Sequence, residues 1–324
     1  MRTESPRSKA RRRTSFGNWV TGLSQVLAAT SQRLRGSRAI IPFLYLAPAA
    51  ALLGLVYFYP VLRVIHDGLY RYTGGRPVYV GLWNYRQLLF NTPDVRTAFI
   101  NNAKLLGVIP IILVISIIVA YIFHEGIPAG KFYETAIFLP TVFSVVLVGV
   151  IFTFILRPSG LLNQFLRNIG LPFLAQNWLG NRRVAILAIM ATMIWKELGF
   201  GIMLFRARLS SLEVELFDAA RVDGANSGQL LLYIIIPQLV GIIEFFVIYY
   251  IISTFASVFG YIYVITYGGP AKSTTVIDFE IYQYAFMRNS RGEATALSFL
   301  LLLGALIFIY LEYRLRVSHE EAES

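Results

Sequence analysis

Long apolar runs alternate with short polar breaks along this chain, and six of the runs are long enough to cross a bilayer. They cover approximately Ile40–Leu62, Ala98–Phe123, Thr135–Leu156, Val184–Phe205, Ile234–Phe255 and Ala294–Tyr313. A helical span needs about 20 mostly apolar residues. No run has the strict alternation of a membrane β-strand, so the backbone must satisfy its own hydrogen bonds within helices. The pattern predicts an all-α integral membrane protein. Six transmembrane helices fill a domain over residues 39–315, with a basic tail over 1–38 and a C-terminal tail over 316–324.

The polar break between the fourth and fifth runs has a pattern of its own. Ser210-x-x-Glu213 has the form of a capping box, and Leu212, Leu216, Ala219 and Ala220 follow at helical spacing. Gly224 supplies a place where a left-handed C-cap is cheap. Asn226-x-x-Gln229 is placed to cap the next helix. This predicts a short surface helix, a tight turn and an immediate return to the membrane. The paired alanines leave a shallow face suited to another protein's groove, although a generic amphipathic loop helix accounts for the same pattern.

Composition agrees with the membrane reading. Of 324 residues, 56% are hydrophobic and only 15% charged, and the mean hydropathy is +0.61, which excludes an ordinary soluble domain. With no cysteine, disulfides, thiolate ligands and cysteine nucleophiles are excluded. The histidines His66, His124 and His319 have no metal-ligand spacing, so no metal is expected. Gly130-Lys131 is followed by Phe132 rather than Ser or Thr and lacks the first glycine of a P-loop. A nucleophile elbow is missing too, so no catalytic residue is expected.

Charge orients the chain. Arg2, Arg7, Lys9, Arg11, Arg12, Arg13, Arg33, Arg35 and Arg38 precede the first span, which predicts a cytoplasmic N-terminus. Six spans then return the C-terminus, with Arg314 and Arg316, to the same side. The bias is not clean, because Arg71, Arg76, Arg86, Arg167, Arg182, Arg183 and Lys272 fall in outer loops. The net charge of +11 comes mainly from the tail and suits membrane lipids rather than nucleic acid. Arg12-Arg13-Thr14-Ser15-Phe16 is a near miss to a twin-arginine signal, with no apolar core or cleavage site after it. Trp19, Leu23, Val26, Leu27 and Leu34 share one helical face, so the tail reads either as an interfacial helix or as a disordered basic leader.

Charges inside spans are expensive and mark candidate pathway residues. Lys196 and Glu197 sit midway along the fourth run and Glu244 well into the fifth. Adjacent residues do not share a helix face, so a Lys196–Glu244 pair across helices is the expectation, whether for transport or for structure alone. Trp195, Tyr249, Tyr250, Ser253, Thr254 and Ser257 add aromatic faces and hydroxyls in the same two runs, whether for a solute path or as helix packing.

The polar break resembles the EAA loop of ATP-binding-cassette importer permeases. Asp218-Ala219-Ala220 is followed after three residues by Gly224, and after nine more by Ile234-x-Ile236-Pro237. Aspartate replaces the usual glutamate and Ile236 the usual leucine. Further segments narrow the resemblance to carbohydrate permeases of the maltose and glycerol-3-phosphate type. These are Ala47-Pro48, Tyr59-Pro60, Val80-Gly81-Leu82-Trp83-Asn84-Tyr85, Gly160-Leu161-Leu162-Asn163 with Ile169-Gly170-Leu171, and Thr266-Tyr267-Gly268-Gly269-Pro270. Ser273-Thr274 and Tyr282-x-x-Ala285-Phe286 complete the set. Glu244 and Lys104 depart from the family pattern.

The resemblance implies a type I ABC importer permease fold with a cytoplasmic coupling helix. It implies a sugar importer in a bacterial or archaeal cytoplasmic membrane, in which Asp218, Ala219, Ala220, Gly224 and Pro237 couple to an ATPase. The implied partners are a second homologous permease, an ATPase dimer and an extracytoplasmic substrate-binding protein. ATP and Mg are then bound by the ATPase, and this chain binds no cofactor. Two alternatives stay open: the same importer carrying a glycerophosphodiester, polyol or other small polar solute, and a stand-alone secondary carrier with Glu244 and Lys196 as a proton relay. The internal repeat common in such carriers is not evident.

Overall fold

The computed structural model describes residues 45–73 and 76–323. The basic tail, and with it the expected interfacial helix and the start of the first span, lies outside the described residues. The chain divides into two units, the first ending at Arg63 and the second running from Val64. Within the first unit the described residues are helical and include a π-turn at Gly54–Phe58. Helix α1, Tyr45–Gly68, is the first of the long apolar helices.

The second unit adds a short antiparallel hairpin, β1 (Tyr70–Thr73) and β2 (Arg76–Tyr79), and then α2 (Trp83–Phe90) and α3 (Pro93–Leu105). Helix α3 runs on into α4 (Val108–Glu125), and together Pro93–Glu125 makes a 33-residue apolar rod. After α5 (Gly130–Val142), α6 (Val145–Ile155) and α7 (Leu161–Asn168) come α8 (Ala185–Leu209) and the short α9 (Val214–Val222). Helix α10 (Ser227–Ala256) is the next long span. Two short helices, α11 (Phe259–Ile265) and α12 (Ile277–Tyr282), lead to α13 (Arg291–Glu323).

One expected span is broken. The run at Thr135–Leu156 forms α5 and α6, which meet at 102°. Pro140 removes a backbone donor inside α5. Phe143 and Ser144 then turn extended, and the Ser144 side chain accepts from the Leu147 N–H to start α6. The other five spans are long, continuous apolar helices, and with the bent pair they make six. The C-terminal helix runs on to Glu323, so the C-terminal tail is helical over residues 316–323.

The core forms where α4 packs along α8 and α10 crosses both. Ile112, Ile189, Ile202, Phe205, Leu239 and Phe246 are buried there. Gly199 lets α5 come close, since a Cβ would press on the Ile137 carbonyl, the small-residue device of membrane helix pairs. A second cluster, with Leu88, Val95, Ala98, Ile277 and Leu297, joins α2, α3, α12 and α13.

Candidate functional site

The polar break after α8 folds much as its spacing predicts, with one change at its start. Ser210 does not open a helix: it ends α8, and α9 begins at Val214 behind Glu213, whose side chain makes no cap bond. The end of α9 is a Schellman motif. Ala225 N–H donates to Ala220 O at 3.0 Å and Gly224 N–H to Arg221 O at 3.1 Å, with Gly224 at φ +87°. Asn226 and Gln229 then form the expected capping box at the start of α10. Just ahead of Pro237, Leu230–Ile235 widens to a π-helix, which accommodates the proline's missing N–H and its crowding ring.

The two alanines part company. Ala220 and Phe217 are buried in the chain's own core, with the Phe217 ring 5.1 Å from that of His124 at the end of α4. Ala219 is exposed, together with Glu215, Leu216, Asp218, Val222 and Asp223. The outward face of α9 is therefore apolar and acidic, with Val222 87% exposed. Arg221 turns back and donates to both carboxylate oxygens of Glu125, at 2.7 and 2.8 Å, while Asp218 lies 3.5 Å from its other nitrogen. The bidentate pair ties α9 to the end of α4, a link that sequence spacing could not indicate across 96 positions. Nearby, Arg206 of α8 pairs with Glu134 of α5.

Deeper in the bundle, Glu197, Tyr250, Ser253, Thr254, Ser257 and Tyr261 line one cavity. Five of these six are expected pathway residues, and Tyr261 is new. The cavity holds about 40 Å³, room for ordered water but not for a saccharide ring. Tyr261 donates to the Glu197 carboxylate at 3.2 Å and Tyr250 to the Glu197 backbone carbonyl at 3.1 Å. Lys196 pairs with Glu197 at 3.1 Å and not with Glu244. It also donates to the Thr141 carbonyl at 3.5 Å. The long lysine stem lets the ammonium swing round to a neighbour whose backbone points elsewhere, which overrides the simple face argument. Glu244, half-buried, lies outside this cavity. Trp195 and Tyr249 are partly exposed and pack on Phe152 and Phe200 respectively.

The Gly268-Gly269-Pro270 segment is held by residues that the sequence reading missed. Asn101 donates to the carbonyls of Ser273 and Thr275, both at 2.9 Å. Asn102 donates to Thr254 O at 3.1 Å and accepts from Ile277 N–H at 2.9 Å. Two adjacent asparagines at the mouth of an apolar rod were the available signal, because buried amides need partners. Buried Glu280 receives Lys272 at 3.4 Å and Arg288 at 3.5 Å, and Asp94 also pairs with Lys272. Asp278 accepts from Phe259 N–H at 2.6 Å, and burial pushes its carboxyl up to about 7.

Comparison with known proteins places these features. Residues 103–316 match the family described as binding-protein-dependent transport system inner membrane component. The chain is 33% identical over 271 residues to a probable ABC transporter permease, YurN, of Bacillus subtilis, covering 82% of this chain and 91% of that one. It is 27% identical over 287 residues to the arabinooligosaccharide transport permease AraP of the same organism, covering 86% and 89%. Its fold resembles that of a bacterial ABC transporter that imports the acidic polysaccharide alginate. The TM-score is 0.75 at 22% identity, with 86% of this chain and 96% of that one covered.

Proposed function

The chain belongs to the family of binding-protein-dependent transport system inner membrane components, and we propose that it forms half of the translocation path of an ATP-driven carbohydrate importer. It is a multi-pass membrane permease, not an enzyme. The remaining subunits of the proposal are a second homologous permease, an ATPase dimer that binds ATP and Mg, and an extracytoplasmic binding protein that delivers cargo. The reading puts both termini and α9 in the cytoplasm.

One observation carries the proposal above all: a short helix closed by a Schellman turn, braced from behind by Phe217, Ala220 and Arg221, with an apolar and acidic face left outward. A helix fixed on one side and presented on the other is built to be gripped. A partner whose contacts with it differ between two states then shifts the bundle between them. The cavity at Glu197, Tyr250 and Tyr261 offers the mixed aromatic and polar lining that suits a sugar.

Carbohydrate is favoured as cargo by the names of several relatives. They include permeases for arabinooligosaccharides, lactose and diacetylchitobiose. Another relative is named for sn-glycerol-3-phosphate, which keeps a small phosphorylated polyol as the second reading. The test is purification of the tagged chain from its host in mild detergent, with mass spectrometry of what accompanies it. A second permease and an ATPase should co-purify. A chain that purifies alone, and transports in proteoliposomes without ATP, would sink the proposal.

A further inference from the structure

The Lys196–Glu197 ion pair lies midway along α8, where a charge inside a span is costly. Its two ends are held by different elements. The cation goes to α5. Lys196 is buried, and its Nζ donates to the Thr141 carbonyl at 3.5 Å, while the Thr141 hydroxyl donates to the Lys196 carbonyl at 3.0 Å. Thr141 sits in the last turn of α5, which stops at Val142 where Phe143 turns extended. Its carbonyl is one of the four that a helix end leaves open, and a lysine suits the negative end of the helix dipole. The break in the third span thus supplies the site that holds Lys196.

The carboxylate stays with the cavity. Glu197 lines it and Lys196 does not. The Glu197 side chain keeps 19% of its surface exposed, against 9% for Lys196. Tyr261 lines the same cavity and donates to Glu197 Oε1, the oxygen that Lys196 also reaches. Among the described residues lining the cavity, Glu197 alone carries a charge, and the rest offer neutral hydroxyls or apolar surface. The pair is neutral as a whole but oriented. A solute in the cavity meets its negative end, with the cation behind.

We propose that Glu197 is a charge filter on the translocation path. Uncharged polyhydroxyl solutes pass, because their hydroxyls donate to an ionised acceptor. Phosphorylated polyols and uronates are turned back, because like charges repel strongly where water is scarce. The inference rests on the importer reading and, within it, selects an uncharged saccharide over a small phosphorylated polyol. It also gives the α5–α6 break a purpose: it keeps the lysine from cancelling the filter at the cavity wall.

The test reads charge directly and needs no knowledge of the cargo. The chain has no cysteine, so Ser253→Cys places a single thiol of this chain at the cavity. The importer is assembled in lipid nanodiscs and turned over with ATP and loaded binding protein. The thiol is then reacted with a methanethiosulfonate carrying either trimethylammonium or sulfonate, and labelling is read on this chain by mass spectrometry. The ratio of the two rates, divided by that for a free thiol, should favour the cation roughly fivefold or more. Adding Glu197→Gln should bring it most of the way to the free-thiol value, and Glu197→Asp should restore it. Glu244→Gln, which neutralises a carboxylate outside the cavity, should leave it as before. A ratio that shows no preference, or that Glu197→Gln leaves unchanged, would overturn the filter. So would a thiol that neither reagent reaches during turnover, or ATP-driven uptake of sn-glycerol-3-phosphate by the parent importer. Should Glu197→Gln fail to assemble, the ratio in Ser253→Cys alone decides. A parent chain that recruits no ATPase would instead refute the importer reading beneath the proposal.

Discussion

Single polar side chains hold the connections between α10 and α12 of this protein. Asn101 holds two backbone carbonyls of the segment after α11, and Asn102 holds one backbone group of α10 and one at the start of α12. Asp278, partly buried, accepts from the first N–H of α11. Its folded carboxyl titrates near 7, against an ordinary value of 3.8. Between those values the folded chain keeps a proton that the unfolded chain releases. The residue's contribution is therefore most favourable in acid and falls as pH rises towards 7. Asp278→Asn keeps an acceptor for Phe259 and removes the titration. We expect the variant to gain thermal stability over the parent at about pH 8, and to gain less at about pH 5. An equal difference at both values, measured on the detergent-solubilised chain, would refute this.

At the scale of elements, α9 matters because of what fixes it. Its chain links are short on both sides, and its one strong polar tie among the described residues is the Arg221–Glu125 pair to the end of α4. On the proposed reading, a push on the outward face of α9 reaches α4, which packs along α8 in the core. Partly exposed pairs of this kind are worth only about 1 kcal/mol in stability, so under the proposed function a charge reversal here should affect coupling more than folding. Reversing one charge, Glu125→Arg or Arg221→Glu, should lower ATP-driven uptake about tenfold with assembly intact, and the double reversal should recover most of it. Losses that simply add in the double variant would show that the two residues act separately.

For the whole molecule, the cavity at Glu197, Tyr250 and Ser257 holds about 40 Å³, so on the proposed reading cargo passes only when the helices around it move apart. The absence of cysteine makes a clean reporter available. In the assembled importer a Ser257→Cys variant should react slowly with a membrane-impermeant thiol reagent at rest. With ATP and loaded binding protein present, labelling should be at least several-fold faster, as expected of alternating access. A rate indifferent to nucleotide and binding protein would place Ser257 off the path.

The amino-acid sequence by itself determined the membrane class, six apolar runs, the landmarks of the α9 turn and the polar residues that gather near Glu197. Each of these depends on local composition or on spacing within a single helix, where period and capping chemistry act directly. The tertiary structure decided the rest. It bent the third run at Ser144, turned Ala220 inward and Ala219 outward, and gave Lys196 to Glu197 instead of Glu244. It joined Arg221 to Glu125. Such outcomes depend on which helix faces meet and on where long side chains find partners once buried. Pairings between residues far apart in the chain leave no periodic trace along it, because only packing brings them within reach.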